Sequence, residues 1–143
     1  MAQASVSEVF NASVKACFQA VSDYSNYPSF LSDVKRISVI DSSPDKKLIE
    51  YELQIIKSFR YQLWTFEKPF SEISWKFHSG DLFKENQGKW TFKDLGEGRT
   101  QVDYNITAKF TLFVPGMIEK KLIEVNLPTM MKAFKQKAEA QKD

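Results

Sequence analysis

Histidine and cysteine occur once each in this chain, as His78 and Cys17. A lone cysteine excludes an internal disulfide, and it fits a reducing compartment. One cysteine and one histidine, with no clustered carboxylates, also fall short of the ligand sets that hold zinc, so no metal and no cofactor is expected. A Ser-His-Asp triad would need its histidine buried beside a partner. His78 instead ends a strand-like run on the face opposite Trp75 and Phe77, which reads as a structural or inert position. Cys17 lies between Ala16 and Phe18, with Val21 nearby, and reads as a small core residue. Glycine and proline number only five each, so neither a linker nor a low-complexity segment is present. Gly96-Glu97-Gly98 lacks the strand-to-helix context of a phosphate loop and reads as a hairpin turn. No apolar run approaches the ~20 residues of a membrane-spanning helix. The N-terminus is polar and leads almost directly into a strand, without the pattern of a signal peptide, so a cytoplasmic protein is expected. Excess charge is missing too: 20 Lys plus Arg face 18 Asp plus Glu. With no dense basic block, DNA binding is not expected.

Aromatic residues, in contrast, are abundant at 14%, with 12 Phe among 143 residues. So many rings in a one-domain chain (1–143) require either a generous core or a lined cavity, and a chain of this length can bury about two-thirds of its unfolded surface. The longest periodic stretch is 115–141. Met117, Ile118, Leu122, Ile123, Val125, Leu127, Met130, Met131 and Phe134 recur there at three- and four-residue steps, with lysines between them. This spacing predicts an amphipathic helix. Pro128 falls inside it, removing one backbone hydrogen bond, and is expected to kink or split the helix.

Upstream, residues 4–10 alternate loosely as a short strand. Asn11 or Ser13 can cap a helix over 14–22, and 23–31 forms a second helical piece with Pro28 in its first turn. From Asp33 the period becomes two. Strands are expected over 34–41, 47–57, 59–67, 72–78, 83–94 and 100–114, the last with Val102, Tyr104, Ile106, Ala108, Phe110, Leu112 and Val114 inward. The short gaps predict antiparallel pairing of sequence neighbours. Twist of about −20 to −25° per strand then curls seven strands into a half-barrel around the long helix. The expected class is α+β.

At this level the chain resembles the START-like (SRPBCC) superfamily with its helix-grip fold. The residues that carry the likeness are Tyr24-Ser25-Asn26-Tyr27-Pro28-Ser29-Phe30-Leu31 with Val34, then Gly88-Lys89-Trp90-Thr91-Phe92 and Thr100-Gln101-Val102-Asp103-Tyr104. Phe110, Val114-Pro115, Met131-Lys132-Ala133-Phe134 and Ala138 complete it. It is most similar to the branch holding polyketide cyclases, coenzyme Q-binding proteins and bacterial ribosome-association toxins, and departs from that branch at Ser32-Asp33-Val34. The likeness implies the helix-grip fold across the whole chain, and it implies carriers, cyclases and docking proteins as function classes.

Carboxylates give no catalytic signal: Glu50, Glu52, Glu67, Glu72, Glu85 and Asp103 fall on outer faces or turns. Tyr51, Tyr61 and Tyr104 point inward and are the residues that a cyclase of this fold could use. The inward aromatic set is either a solid core or the lining of an apolar ligand site. As a ligand site it comprises Phe30, Tyr51, Tyr61, Trp75, Phe77, Trp90, Tyr104, Phe110, Ile118, Leu122, Val125 and Met130. The expected ligand is a hydrophobic small molecule of quinone, lipid or polyketide-like type. It would enter beside the long helix, hinged near Gly116 and Pro128. Trp64 and Phe66 point outward near Lys57, Arg60 and Lys68, and Lys57, Arg60 and Trp64 form a candidate contact surface for a ribosome or a membrane. Binding, macromolecular docking and aromatase/cyclase chemistry are thus the three functional expectations.

Overall fold

The computed structural model describes residues 2–112 and 114–141. Seven strands form one antiparallel sheet: β1 (Ala2–Phe10), β2 (Val34–Ser42), β3 (Lys46–Ile55), β4 (Lys57–Lys68), β5 (Glu72–Gly80), β6 (Phe83–Gly96) and β7 (Arg99–Phe110). Their order is β1-β7-β6-β5-β4-β3-β2. The six later strands meander as their short connections dictate. The position of β1 is not local information: it crosses the sheet to pair with β7, from Ala2 opposite Ala108 to Phe10 opposite Thr100.

Helix α1 (Val14–Ser22) starts at Ser13, whose Oγ accepts from the Ala16 N–H at 3.1 Å. The helical piece that follows is a 3-10 helix, Tyr24–Ser29, and Pro28 is its fifth residue rather than part of its first turn. Six residues make two 3-10 turns, and the proline stands in the second of them, one residue before the end. Strand β7 stops at Phe110, short of the expected 114, and position 113 of that expected strand lies outside the described residues. The reason is pairing: β6 begins at Phe83, opposite Phe110, so the chain beyond has no partner strand. Leu112, expected inward, is 85% exposed.

The C-terminal helix runs as α2 (Gly116–Lys121), a π turn (Leu122–Asn126) and α3 (Leu127–Ala140). Pro128 does act on it, as the second residue of α3. The preceding backbone widens, so that Leu127 N–H reaches five residues back to the Leu122 carbonyl. A π turn inserts one extra residue and rephases the helix. Val125, expected inward, is consequently 55% exposed, whereas Leu122, Ile123 and Asn126 turn toward the sheet.

Packing is dense at one end. There α1 lies against α3, and Phe10, Cys17, Val21, Val102 and Phe134 are fully buried. Thr100 Oγ1 donates to the Ala12 carbonyl at 2.7 Å, and Asn11 N–H donates to Glu139 Oε2 at 2.8 Å. Lys137 Nζ donates to Asp23 Oδ2 at 3.0 Å. The Glu139 and Lys137 contacts fasten α3 to the beginning of the chain.

Two expectations about surface charge are corrected. Glu52 is buried between Lys35 (3.6 Å) and Arg60 (3.2 Å), because these cations reach over it from β2 and β4. Glu67 is only part-exposed: it accepts from the Tyr24 hydroxyl and pairs with Lys47 at 3.0 Å.

Candidate ligand-binding cavity

The other end of the molecule is hollow. Between the concave face of the sheet, the 3-10 turn and the π-turn half of the C-terminal helix lies a cavity of about 220 Å³. That is far more than the ~10–15 Å³ that admits one water, and it falls somewhat below the ~300–1,000 Å³ typical of small-molecule sites. Strand alternation aims the walls. Tyr51 and Leu53 come from β3, Tyr61 and Leu63 from β4, Trp75 from β5, Phe83, Asn86 and Trp90 from β6, and Tyr104, Ile106 and Phe110 from β7. Phe30, Leu31, Ser32 and Asp33 form one rim, while Leu122, Ile123, Asn126, Met130 and Phe134 form the roof.

The rings hold one another in register. Tyr51 and Tyr61 stack at 5.1 Å and 12°, Trp75 stacks on Tyr104 at 5.4 Å, and Trp90 meets Phe134 edge-on at 5.1 Å. Contacts of these types are favourable beyond plain area burial. Gly88 makes the crowding possible. A Cβ there would stand 2.1 Å from the Asn105 carbonyl oxygen and 2.7 Å from Trp75 Cζ2.

Polar groups are few. Trp75 Nε1 donates to Asn86 Oδ1 at 2.8 Å, which fixes the orientation of that amide. The Tyr27 hydroxyl is satisfied by the Val21 carbonyl. Among the described residues, the hydroxyls of Tyr51, Tyr61 and Tyr104 have no hydrogen-bond partner. Burial pushes all three phenols well above their ordinary pKa, with nearby tyrosines adding to the effect at Tyr61 and Tyr104. They are therefore neutral donors at physiological pH and cannot serve as phenolate bases. Among the described residues, Asp33, at the rim, is the one carboxylate of the lining, and no lysine, arginine or histidine belongs to it.

Of the twelve residues expected to face a ligand, Phe30, Tyr51, Tyr61, Trp75, Trp90, Tyr104, Phe110, Leu122 and Met130 line this cavity. Phe77 is half-buried against the core and Ile118 is buried, and neither reaches the cavity. Val125 is turned out by the π turn. Sequence reasoning missed Asn86, Asn126, Asp33, Phe83 and Tyr27. Asn126 carried a signal, as a polar residue between Val125 and Leu127 on a mostly apolar helix stretch, whereas Asn86 lies in the polar run 84–89 and carried none. Among the described residues no group of His, Cys, Asp and Glu could hold a metal ion, and no helix is long and apolar enough to cross a membrane.

On the outer face Trp64 is half-buried, packed edge-on against His78 at 5.7 Å and under Lys46 at 4.7 Å. Arg60 is engaged by Glu52, while Lys57 is exposed with its Nζ over the Phe59 ring at 5.1 Å.

No curated protein matches the chain. Solved structures do. A START superfamily protein from Mycobacterium smegmatis is 21% identical with a TM-score of 0.81, over 96% of this chain and 97% of that one. The Zhui aromatase/cyclase from Streptomyces sp. R1128 is 10% identical with a TM-score of 0.86, over 96% and 93%. A protein from Thermus thermophilus is 18% identical with a TM-score of 0.85, over 99% and 100%. At these identities the likeness establishes the fold. The model of one family, described as polyketide cyclase / dehydrase and lipid transport, matches residues 10–135. With that match across most of its length and with the helix-grip architecture of START-like proteins, this chain belongs to the polyketide cyclase / dehydrase and lipid transport family.

Proposed function

We propose that this protein binds and carries a hydrophobic small molecule of quinone, lipid or polyketide-like type in the cavity under its C-terminal helix, without converting it. The observation that carries this reading is the cavity itself. It is an apolar, ring-walled space whose few polar groups include three tyrosine hydroxyls without partners. Burial of the ligand's apolar surface supplies the driving force, at roughly 25 cal/mol per Å² removed from water. The hydroxyls of Tyr51, Tyr61 and Tyr104 orient the ligand's polar group. Entry is between the rim at Phe30 to Asp33 and the α2–π segment of the helix.

The aromatase/cyclase reading is supported less well. Aldol cyclisation needs a base at the reacting carbon, and the lining offers neutral phenols and a carboxylate confined to the rim. Docking on a ribosome or a membrane through Lys57, Arg60 and Trp64 is also supported less well, since Arg60 is engaged by Glu52 and Trp64 is half-buried, which leaves Lys57 as the exposed charge without an ion pair among the described residues.

Organic extraction and mass spectrometry of natively purified protein test the proposal, together with titration of N-phenylnaphthylamine, an uncharged dye that fluoresces in apolar sites. The expected result is a co-purifying apolar compound, or stoichiometric dye binding abolished by Trp90→Ala. A protein that carries no compound and does not bind the dye overturns it.

A further inference from the structure

The balance of charges and hydrogen-bonding groups around the cavity is uneven, and it narrows the ligand further than hydrophobicity does. Among the described residues no cation belongs to the lining, and its single carboxylate, Asp33, sits at the rim. A ligand carboxylate would enter without a counter-charge, and burying an unpaired charge is strongly unfavourable. The uncommitted polar atoms include two amide donors. Asn86 has its Oδ1 committed to Trp75, which leaves the NH₂ end of that amide as its remaining capacity. Asn126, on the π turn, is a lining residue, and its Nδ2 is buried in the wall with no hydrogen-bond partner. Its neighbour Thr129 donates to the Val125 carbonyl at 2.9 Å and does not accept from the amide. A buried donor without an acceptor is rare in folded proteins and costly to keep. This one is also closed to solvent, so bulk water does not relieve it. It lies in the wider π turn, where the helix departs from α geometry, and such turns are frequently found at functional sites.

We infer that Asn126 is the specificity-determining donor of the site, and that the ligand is an uncharged, ring-bearing molecule whose ketone-type oxygen accepts from its amide. This rests on the carrier reading above and adds to it a selecting residue and a charge state. The ligand oxygen meets the amide as the side chain turns from the wall of the π turn into the cavity. A hydrocarbon of the same shape leaves the donor unsatisfied, and a carboxylate of the same shape brings a charge that nothing neutralises.

Displacement of N-phenylnaphthylamine by three compounds of matched shape tests this: fluorenone, fluorene and fluorenecarboxylate. Wild-type protein is expected to bind fluorenone about tenfold more tightly than either of the others. Asn126→Leu is expected to lose roughly three- to tenfold in fluorenone affinity, the worth of one neutral hydrogen bond. Its fluorene affinity should stay within about twofold, and its melting temperature should be unchanged or raised, since the unpaired donor is gone. Equal affinities for the three compounds in wild type would overturn the inference while leaving the carrier reading intact. So would an Asn126→Leu protein that is less thermostable and weakened equally toward all three. Wild-type protein that carries no compound and fails to bind the dye removes both.

Discussion

At the scale of single residues, the most constrained position is one without a side chain. Gly88 lies in the middle of β6, opposite Trp75 on one side and Ile106 on the other. Its missing Cβ makes room both for the neighbouring backbone and for the Trp75 ring. Nothing flexible can yield on the backbone side, so Gly88→Ala forces β6 and β7 apart. We expect a loss of about 1–3 kcal/mol, the usual range for overpacking, measured by chemical denaturation, together with weaker dye binding as Trp75 is displaced. A variant as stable as wild type would show that the strands separate freely at this point. The Gly-Lys-Trp-Thr-Phe string was visible in the sequence as a strand with inward Trp90 and Phe92, and so it is. The need for glycine was not visible, because it arises from Asn105 and Trp75, which reach this position only through sheet pairing. Glu52 follows the same logic. Alternation placed it outward, correctly, yet it is buried because Lys35 and Arg60 converge over it from two other strands.

At the scale of elements, the C-terminal helix divides into unequal halves. α3 packs on α1 and is held by the Glu139 and Lys137 contacts. In α2 only Ile118 is buried, and no residue of the π turn is. Segments with little buried apolar surface open at low free-energy cost. Backbone amides of 117–126 are therefore expected to exchange with deuterium at least tenfold faster than those of 130–138, with a bound ligand narrowing the gap. Uniform protection along the helix would contradict a movable roof. Periodicity identified this helix and Pro128 identified its weak point. The form of the irregularity was not legible. A proline can be absorbed by a kink, a break or a π turn, and the choice depends on which residues the sheet below can accept. That choice turned Val125 outward and brought Asn126 to the cavity.

At the scale of the whole molecule, all five tyrosines of the chain have hydroxyls pushed above the ordinary pKa, chiefly by burial. For an acid whose folded pKa is raised, the folded state holds its proton where the unfolded state, near pH 10, has lost it. The associated stability is thus complete below about pH 10 and falls as the pH rises beyond it. Each phenol contributes up to about 1.4 kcal/mol per pH unit. We expect cooperative alkaline unfolding, in which phenolate absorbance grows only as the circular dichroism signal collapses. Phenolate absorbance with a midpoint near 10 in folded protein would show that the rings are open to water.

The order of periods along the chain, two through the middle and 3.6 at the end, was enough to determine strand and helix, antiparallel pairing and the inward aromatic set. These follow from short-range sterics and from the need to bury one face of each element. The family likeness was equally legible in local strings. Only the tertiary structure decided that β1 closes on β7, that the core is solid at the α1–α3 end and hollow at the other, and that the hollow has amide donors and, among the described residues, no cation. Those properties depend on which side chains from distant segments meet, and on the volume they leave unfilled when they do.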